Sequence, residues 1–150
     1  MKTKIDKSKK VKEYFSLEEL YEYFKQEYNN VYDEETIRRL TCLFYEYNFE
    51  LEIMDDIKVQ HNTVYIGNDE YLILTDEEAN EEAKRYILDY LYETLADEKL
   101  KDLYEFIDHD KYAEHMMNNY GSRGQWISHY DGIERDVLLN DTWYSIYRTN

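Results

Sequence analysis

The sequence contains no proline and only four glycines in 150 residues. Long irregular loops and flexible linkers draw on both, so their scarcity argues for closely connected elements. A single cysteine, Cys42, leaves no internal disulfide and fits a reducing compartment. No apolar run approaches the roughly 20 residues that span a bilayer. The basic start, MKTKIDKSKKVKEYF, lacks the apolar stretch of a secretory signal. These absences predict a cytoplasmic protein with no membrane partner. Positive charge is scarce as well. Residues 1–12 carry six Lys against Asp6, a net of +5, so the other 138 residues carry −16 − 5 = −21, from 12 basic and 33 acidic side chains. Such a field repels nucleic acid and anionic lipid and attracts basic surfaces. Direct nucleic-acid binding is therefore not expected of the body of the protein. The lysines of residues 1–12 predict a flexible basic arm, and residues 13–150 a single acidic domain.

What is present is enough apolar residue to fold, 43% of the chain, and 18 tyrosines. A tyrosine buries its ring while the hydroxyl stays at a wet edge, which suits both a thin core and an interface. Ser16-Leu17-Glu18-Glu19 reads as a capping box opening a helix to about Tyr28, and Asp33 opens a second helix ended by Asn48. Cys42 is placed on the flank of that helix, in an apolar setting that favours the neutral thiol. Alternation then predicts a strand over Phe49–Met54, followed by strands around Ile57–His61, Val64–Ile66 and Tyr71–Leu74. Thr75-Asp76-Glu77-Glu78 is another capping box, starting the longest helix, to about Ala96, with Ala79, Ala83, Tyr86, Ile87 and Tyr90 inward and Tyr92 nearer the acids. Short helices around Asp97–Phe106 and from Asp108 to a Gly121 stop follow. Strands at Trp126–Tyr130, Ile133–Val137 and Trp143–Tyr147 end the chain. The order predicts an α+β fold, an antiparallel β-meander with flanking helices in one domain.

Motifs for chemistry are few. Asp108, His109, Asp110, Glu114 and His115 form a metal-friendly cluster by composition, but the histidines are six apart and fall on opposite sides of a helix. No metal, cofactor or catalytic residue is assigned. Gly121-Ser122-Arg123-Gly124 lacks the lysine and length of a phosphate loop. An enzyme reading would need His109, His115 or His129 to meet carboxylates in a pocket.

The acids of the long helix carry more. At 100° per residue Glu78, Glu82, Asp89 and Glu93 fall within about 60° of one another. Like charges four apart cost a few tenths of a kcal/mol each, and Arg85 in the same stripe relieves part of that. Further acids open the first two helices: Glu18, Glu19, Glu22 and Glu27, then Asp33, Glu34 and Glu35. Were the fold to gather them, the surface would meet a basic groove as a phosphate backbone does. The four helix acids are thus candidate partner-binding residues. Arg123, Trp126, Tyr130 and Trp143 form an alternative set, an aromatic C-terminal hairpin in a protein whose charge serves only solubility. A homodimer is compatible with either.

Residues 70–92, Glu-Tyr-Leu-Ile-Leu-Thr-Asp-Glu-Glu-Ala-Asn onward to Tyr-Ile-Leu-Asp-Tyr-Leu-Tyr, resemble a segment of small acidic proteins encoded by bacteriophages. The C-terminal Gly121-Ser-Arg-Gly-Gln-Trp-Ile-Ser-His-Tyr-Asp-Gly-Ile-Glu, ending in Tyr144-Ser-Ile-Tyr-Arg-Thr-Asn150, does too. Phe106-Ile107-Asp108-His109-Asp110-Lys111-Tyr112-Ala113 is similar to a stretch of the ArdA-type antirestriction proteins, which are DNA mimics, although the sequence around it departs from theirs. The resemblance implies an anti-defence protein of the antirestriction or anti-CRISPR kind. Its partner would be a host CRISPR effector or restriction enzyme with a basic nucleic-acid-binding groove, met in the bacterial cytoplasm.

Overall fold

The computed structural model describes residues 4–95 and 97–150. Local signals fix most element starts. The hydroxyl of Ser16 accepts from the amide of Glu19, and the Glu19 carboxylate takes the Ser16 amide, opening α1 (Leu17–Tyr28). Asp33 caps α2 (Glu34–Tyr47), which stops where Asn48 turns left-handed at φ 52. β1 (Ile57–Gln60), β2 (Thr63–Ile66) and β3 (Asp69–Thr75) form a meander. Thr75 ends β3 and caps α3 (Asp76–Thr94) with no loop between them. After α4 (Glu98–Lys101), α5 (His109–Asn119) and α6 (Arg123–Ile127), β4 (Arg135–Leu139) and β5 (Thr142–Arg148) close the chain as a hairpin.

The five strands make one antiparallel sheet in the order β1-β2-β3-β5-β4, so the expected α+β fold is observed. Successive side chains of its central strands serve two cores. Tyr71, Ile73, Tyr144 and Ile146 join α1 and α2 on one face, with Leu20, Phe24, Leu40, Leu43 and Phe44. Leu72, Leu74 and Tyr147 face the other way, onto Ala79 and Ala83 of α3 and Ile127 of α6. α3 continues onto α5 through Ile87, Ala113 and Met116.

Five expectations are corrected. Residues 7–11 are not a free arm: Val11 is buried, its amide donates to Phe49 O, the carbonyls of Lys7 and Lys9 accept from Glu52 and Leu51, and Asn48 holds the Lys12 amide. Residues 1–3 lie outside the described part. Residues 49–54 are not a strand, for Leu51–Asp55 is a 3-10 helix that buries Leu51 and Met54, three apart. Residues 126–130 are not a strand either. Ser122 and Gln125 form another capping box, and α6 runs through Trp126. Gly124 is required there, since a Cβ would lie 2.9 Å from Gly132 O. Finally, Leu91 rather than Tyr90 completes the inward stripe of α3, and Tyr90 is 53% exposed. The expected end of that helix near Ala96 falls on a residue outside the described part; the helix closes at Thr94. Cys42 is fully buried and not on a flank.

A candidate acidic docking surface

The junction of β3 and α3 places the first turn of the long helix at one end of the sheet, with an arginine on either side of it. Arg39, on α2, is only 11% exposed. It bridges Glu35 at 3.1 Å and Glu78 at 2.8 and 3.2 Å, and also donates to Ile73 O. Arg123, at the start of α6, is 17% exposed. It reaches Asp76 at 2.7 Å, Glu134 at 2.7 and 3.2 Å, Asn80 at 2.9 Å and Ser145 at 3.3 Å. Each guanidinium is a planar fork with several donors, so one arginine can serve carboxylates from separate elements.

The charge balance at this end stays negative. Asp33, Glu35 and Glu78 share a cleft of about 490 Å³ with Arg39 and His61. Asp76 and Asp136 share another, of about 320 Å³, with Arg123, Ser145 and Trp143. Counting Glu134, two arginines stand among six carboxylates. Burial alone would raise Glu78, yet the hydrogen bonds from Arg39 and the Thr75 amide outweigh it and hold the carboxyl below its ordinary value. The same contest at Glu134, with Arg123 and Tyr147 donating, also ends low. Asp136 goes the other way: burial and the neighbouring Glu134 charge raise it.

Tyrosine hydroxyls complete the frame. Buried Tyr21 donates to Glu34 at 2.8 Å, buried Tyr144 to Glu35 at 2.9 Å, and buried Tyr147 to Glu134. The acids at the sheet end are thus held in place by side chains rooted in the core.

No family model, curated protein or solved structure matches the chain. What the surface offers a partner must therefore be read from its geometry.

Of the four acids singled out on α3, Glu78 is fully engaged by Arg39 and by its own helix cap. Glu82 and Asp89 share Arg85, the second at 3.7 Å. Glu93 is exposed and has no ion pair among the described residues. All four lie along one side of the helix, over roughly 22 Å. Tyr92 is exposed near the far end, edge-on to Tyr104.

The alternative hairpin set is not brought together as a set. Arg123 is tied into the acid frame. Trp126 is half-buried beside Tyr90 and Met117. Tyr130, exposed, lies under Arg148 at 3.8 Å from the ring centre. Trp143 is exposed on the hairpin opposite Leu138 and borders the cleft that Arg123 also lines, the one pair of the set that shares a site. The histidines are apart as well. The His109 ring donates to Tyr104 O at 2.9 Å, His115 meets Asn119, and His129 packs on Tyr86. Among the described residues no group of three or more His, Cys, Asp or Glu is placed to hold a metal ion. Sequence reasoning missed Arg39, Asp76, Glu134 and Asp136. Glu134 and Asp136 show a period-two acid pattern, which the strand expected over Ile133–Val137 already places on one face.

Proposed function

We propose that the protein binds the basic nucleic-acid groove of a host enzyme and inhibits the enzyme by occupying that groove. The contact surface is the acid frame at the start of α3 together with the row behind it, Glu82, Asp89 and Glu93. The observation that carries this reading is the gathering of six carboxylates around two arginines at one end of the sheet. Those carboxylates are already ordered, four by arginine and tyrosine donors, Asp33 by the Thr36 amide and Asp136 by the Ser145 hydroxyl. Docking then costs little side-chain entropy, and the excess negative charge attracts lysines and arginines set to receive phosphates. The resemblance to phage-encoded acidic proteins and to antirestriction DNA mimics favours a restriction enzyme or CRISPR effector as the target, in the cytoplasm of a bacterial host.

The test uses the protein as bait in a bacterial lysate at low salt, followed by elution at ~0.5 M NaCl, where screening has shortened to a few ångströms. The expected catch is a nucleic-acid-binding enzyme that leaves the bait at high salt and loses its DNA or RNA affinity when the protein is added. The triple variant Glu82→Lys, Asp89→Lys, Glu93→Lys keeps the Glu78 cap and should lose the catch while retaining its circular dichroism. A folded triple variant that binds equally well would sink the proposal, as would a partner that binds nucleic acid unhindered.

A further inference from the structure

The sheet has two edges, and they differ. Among the described residues β4 pairs only with β5. Thr149 donates to Glu70 O, and the register then pairs Tyr147 with Leu72 and Ser145 with Leu74, so those residues turn their backbone groups toward β3. Tyr144 and Ile146 therefore turn theirs toward β4, opposite Val137 and Arg135. The two-residue turn Asn140-Asp141, with φ of 50 and 65, demands the same parity, since Leu139 and Thr142 close it as a hydrogen-bonded pair. The amide and carbonyl groups of Asp136 and Leu138 consequently point out of the sheet. No other backbone hydrogen bond reaches them among the described residues.

The side chains along this edge define what fits it. Leu138 (44% exposed) lies opposite Trp143 (54% exposed) on the α6 side of the sheet. Asp136, two residues away, shares that face. Its Oδ1 accepts from Ser145 at 2.7 Å, while the nearby Arg123 is engaged by Asp76 and Glu134. A cation is therefore wanting beside Asp136. The opposite edge, β1, shows Lys58 and Gln60 outward and has no large exposed hydrophobic residue.

We propose that the outer edge of β4 accepts an extended segment of a partner protein as a sixth strand, with a Lys or Arg of that segment on Asp136 and an apolar residue two positions away on Leu138 and Trp143. The outward backbone groups of Asp136 and Leu138 give the affinity, and the two side-chain contacts give the choice of sequence. A second copy of the chain is a poorer occupant. Its own β4 offers Glu134, Asp136 and Leu138 on that face, without a cation, and each copy carries a net charge of −16. This inference goes beyond the groove-binding reading: it shares Asp136 with the acid frame but rests on the outward backbone groups of the β4 edge, which that reading does not use.

The probes are two short synthetic peptides, with Lys-Thr-Leu or Leu-Thr-Lys centred in a threonine and valine frame, because strand direction decides which order fits. One should bind saturably. Its binding should slow hydrogen exchange at the Asp136 and Leu138 amides and leave Val137 and Leu139, already bonded to β5, unchanged. Asp136→Lys should weaken this peptide roughly tenfold, a free-energy change of about 1.4 kcal/mol, and should bind better a peptide in which Glu replaces Lys. That charge swap shows that the variant has kept its fold. Failure of both peptides to bind, binding without protection at residues 136 and 138, or indifference to the swap would each overturn the proposal. So would a dimer of the protein alone in which those two amides are protected, since that assigns the edge to a second copy.

Discussion

Eighteen tyrosines in a chain with only five phenylalanines acquire a reason at the level of single side chains. Tyr21, Tyr144 and Tyr147 are almost wholly inaccessible, yet each hydroxyl reaches a glutamate at the rim, Glu34, Glu35 and Glu134. A phenylalanine would fill the same space and leave the carboxylate untethered. Cys42 shows the opposite use of burial. Its thiol is pushed from an ordinary 9.0 up to about 12, chiefly by burial, with the Glu35 charge adding. The thiolate is thus suppressed at neutral pH, and the folded protein should react with an aromatic disulfide reagent only as fast as it unfolds. Linkage gives the sign of the alkaline limb. The folded-state value is raised, so the contribution of this group is intact below pH 9.0 and is lost as the pH climbs toward about 12. A native-state reaction rate equal to that in urea would refute the assignment.

The junction between β3 and α3 sets the element scale, because one residue, Thr75, ends the strand and caps the helix that bears the acids. Thr75→Ala should cost about 1 kcal/mol in urea unfolding, because the Glu78 amide loses the Thr75 hydroxyl that accepts from it. The hairpin turn offers a change of opposite sign. Asp141 sits at φ 65, where glycine is unstrained, so Asp141→Gly should be neutral or stabilise by up to about 1 kcal/mol. Elements of this kind were legible in the sequence because their signals are local: two capping boxes, the left-handed Asn48, and the alternation of β1 to β3. Residues 49–54 misled because Phe49, Leu51 and Ile53 alternate as a strand would, whereas their partner is the chain start, through the Lys10–Glu50 bridge. The helix at 123–127 was missed although Ser122-Arg-Gly-Gln125 fits a capping box, because glycine at its centre reads as a loop. The row Glu82, Asp89 and Glu93 followed from helix periodicity. The acid frame did not, since Arg39 meets Glu78 across 39 positions and Arg123 meets Asp76 across 47.

For the whole molecule, net charge sets two responses to salt, and they have opposite signs. A charge of −16 on 150 residues opposes compaction, while the arginines that relieve it locally are mostly buried and little screened. Raising NaCl from ~0.01 M to ~0.3 M shrinks the screening length from about 30 Å, longer than the acid row on α3, to well below 10 Å. Self-repulsion then fades while the Arg39 and Arg123 bridges persist, so the urea midpoint should rise across this range. Urea is the denaturant to use, because guanidinium chloride is itself a salt and would hide the effect. Over the same range the affinity for a basic partner should fall, its logarithm linear in the logarithm of salt concentration, as counterions compete for both surfaces. A protein whose acids serve only solubility would show the first response without the second. One whose acids are neutralised in place would show neither. A midpoint that falls with added salt would mean that surface ion pairs such as Glu82–Arg85–Asp89 and Lys84–Asp110 outweigh the long-range repulsion. The excess negative charge would then no longer be available as a driving force for docking.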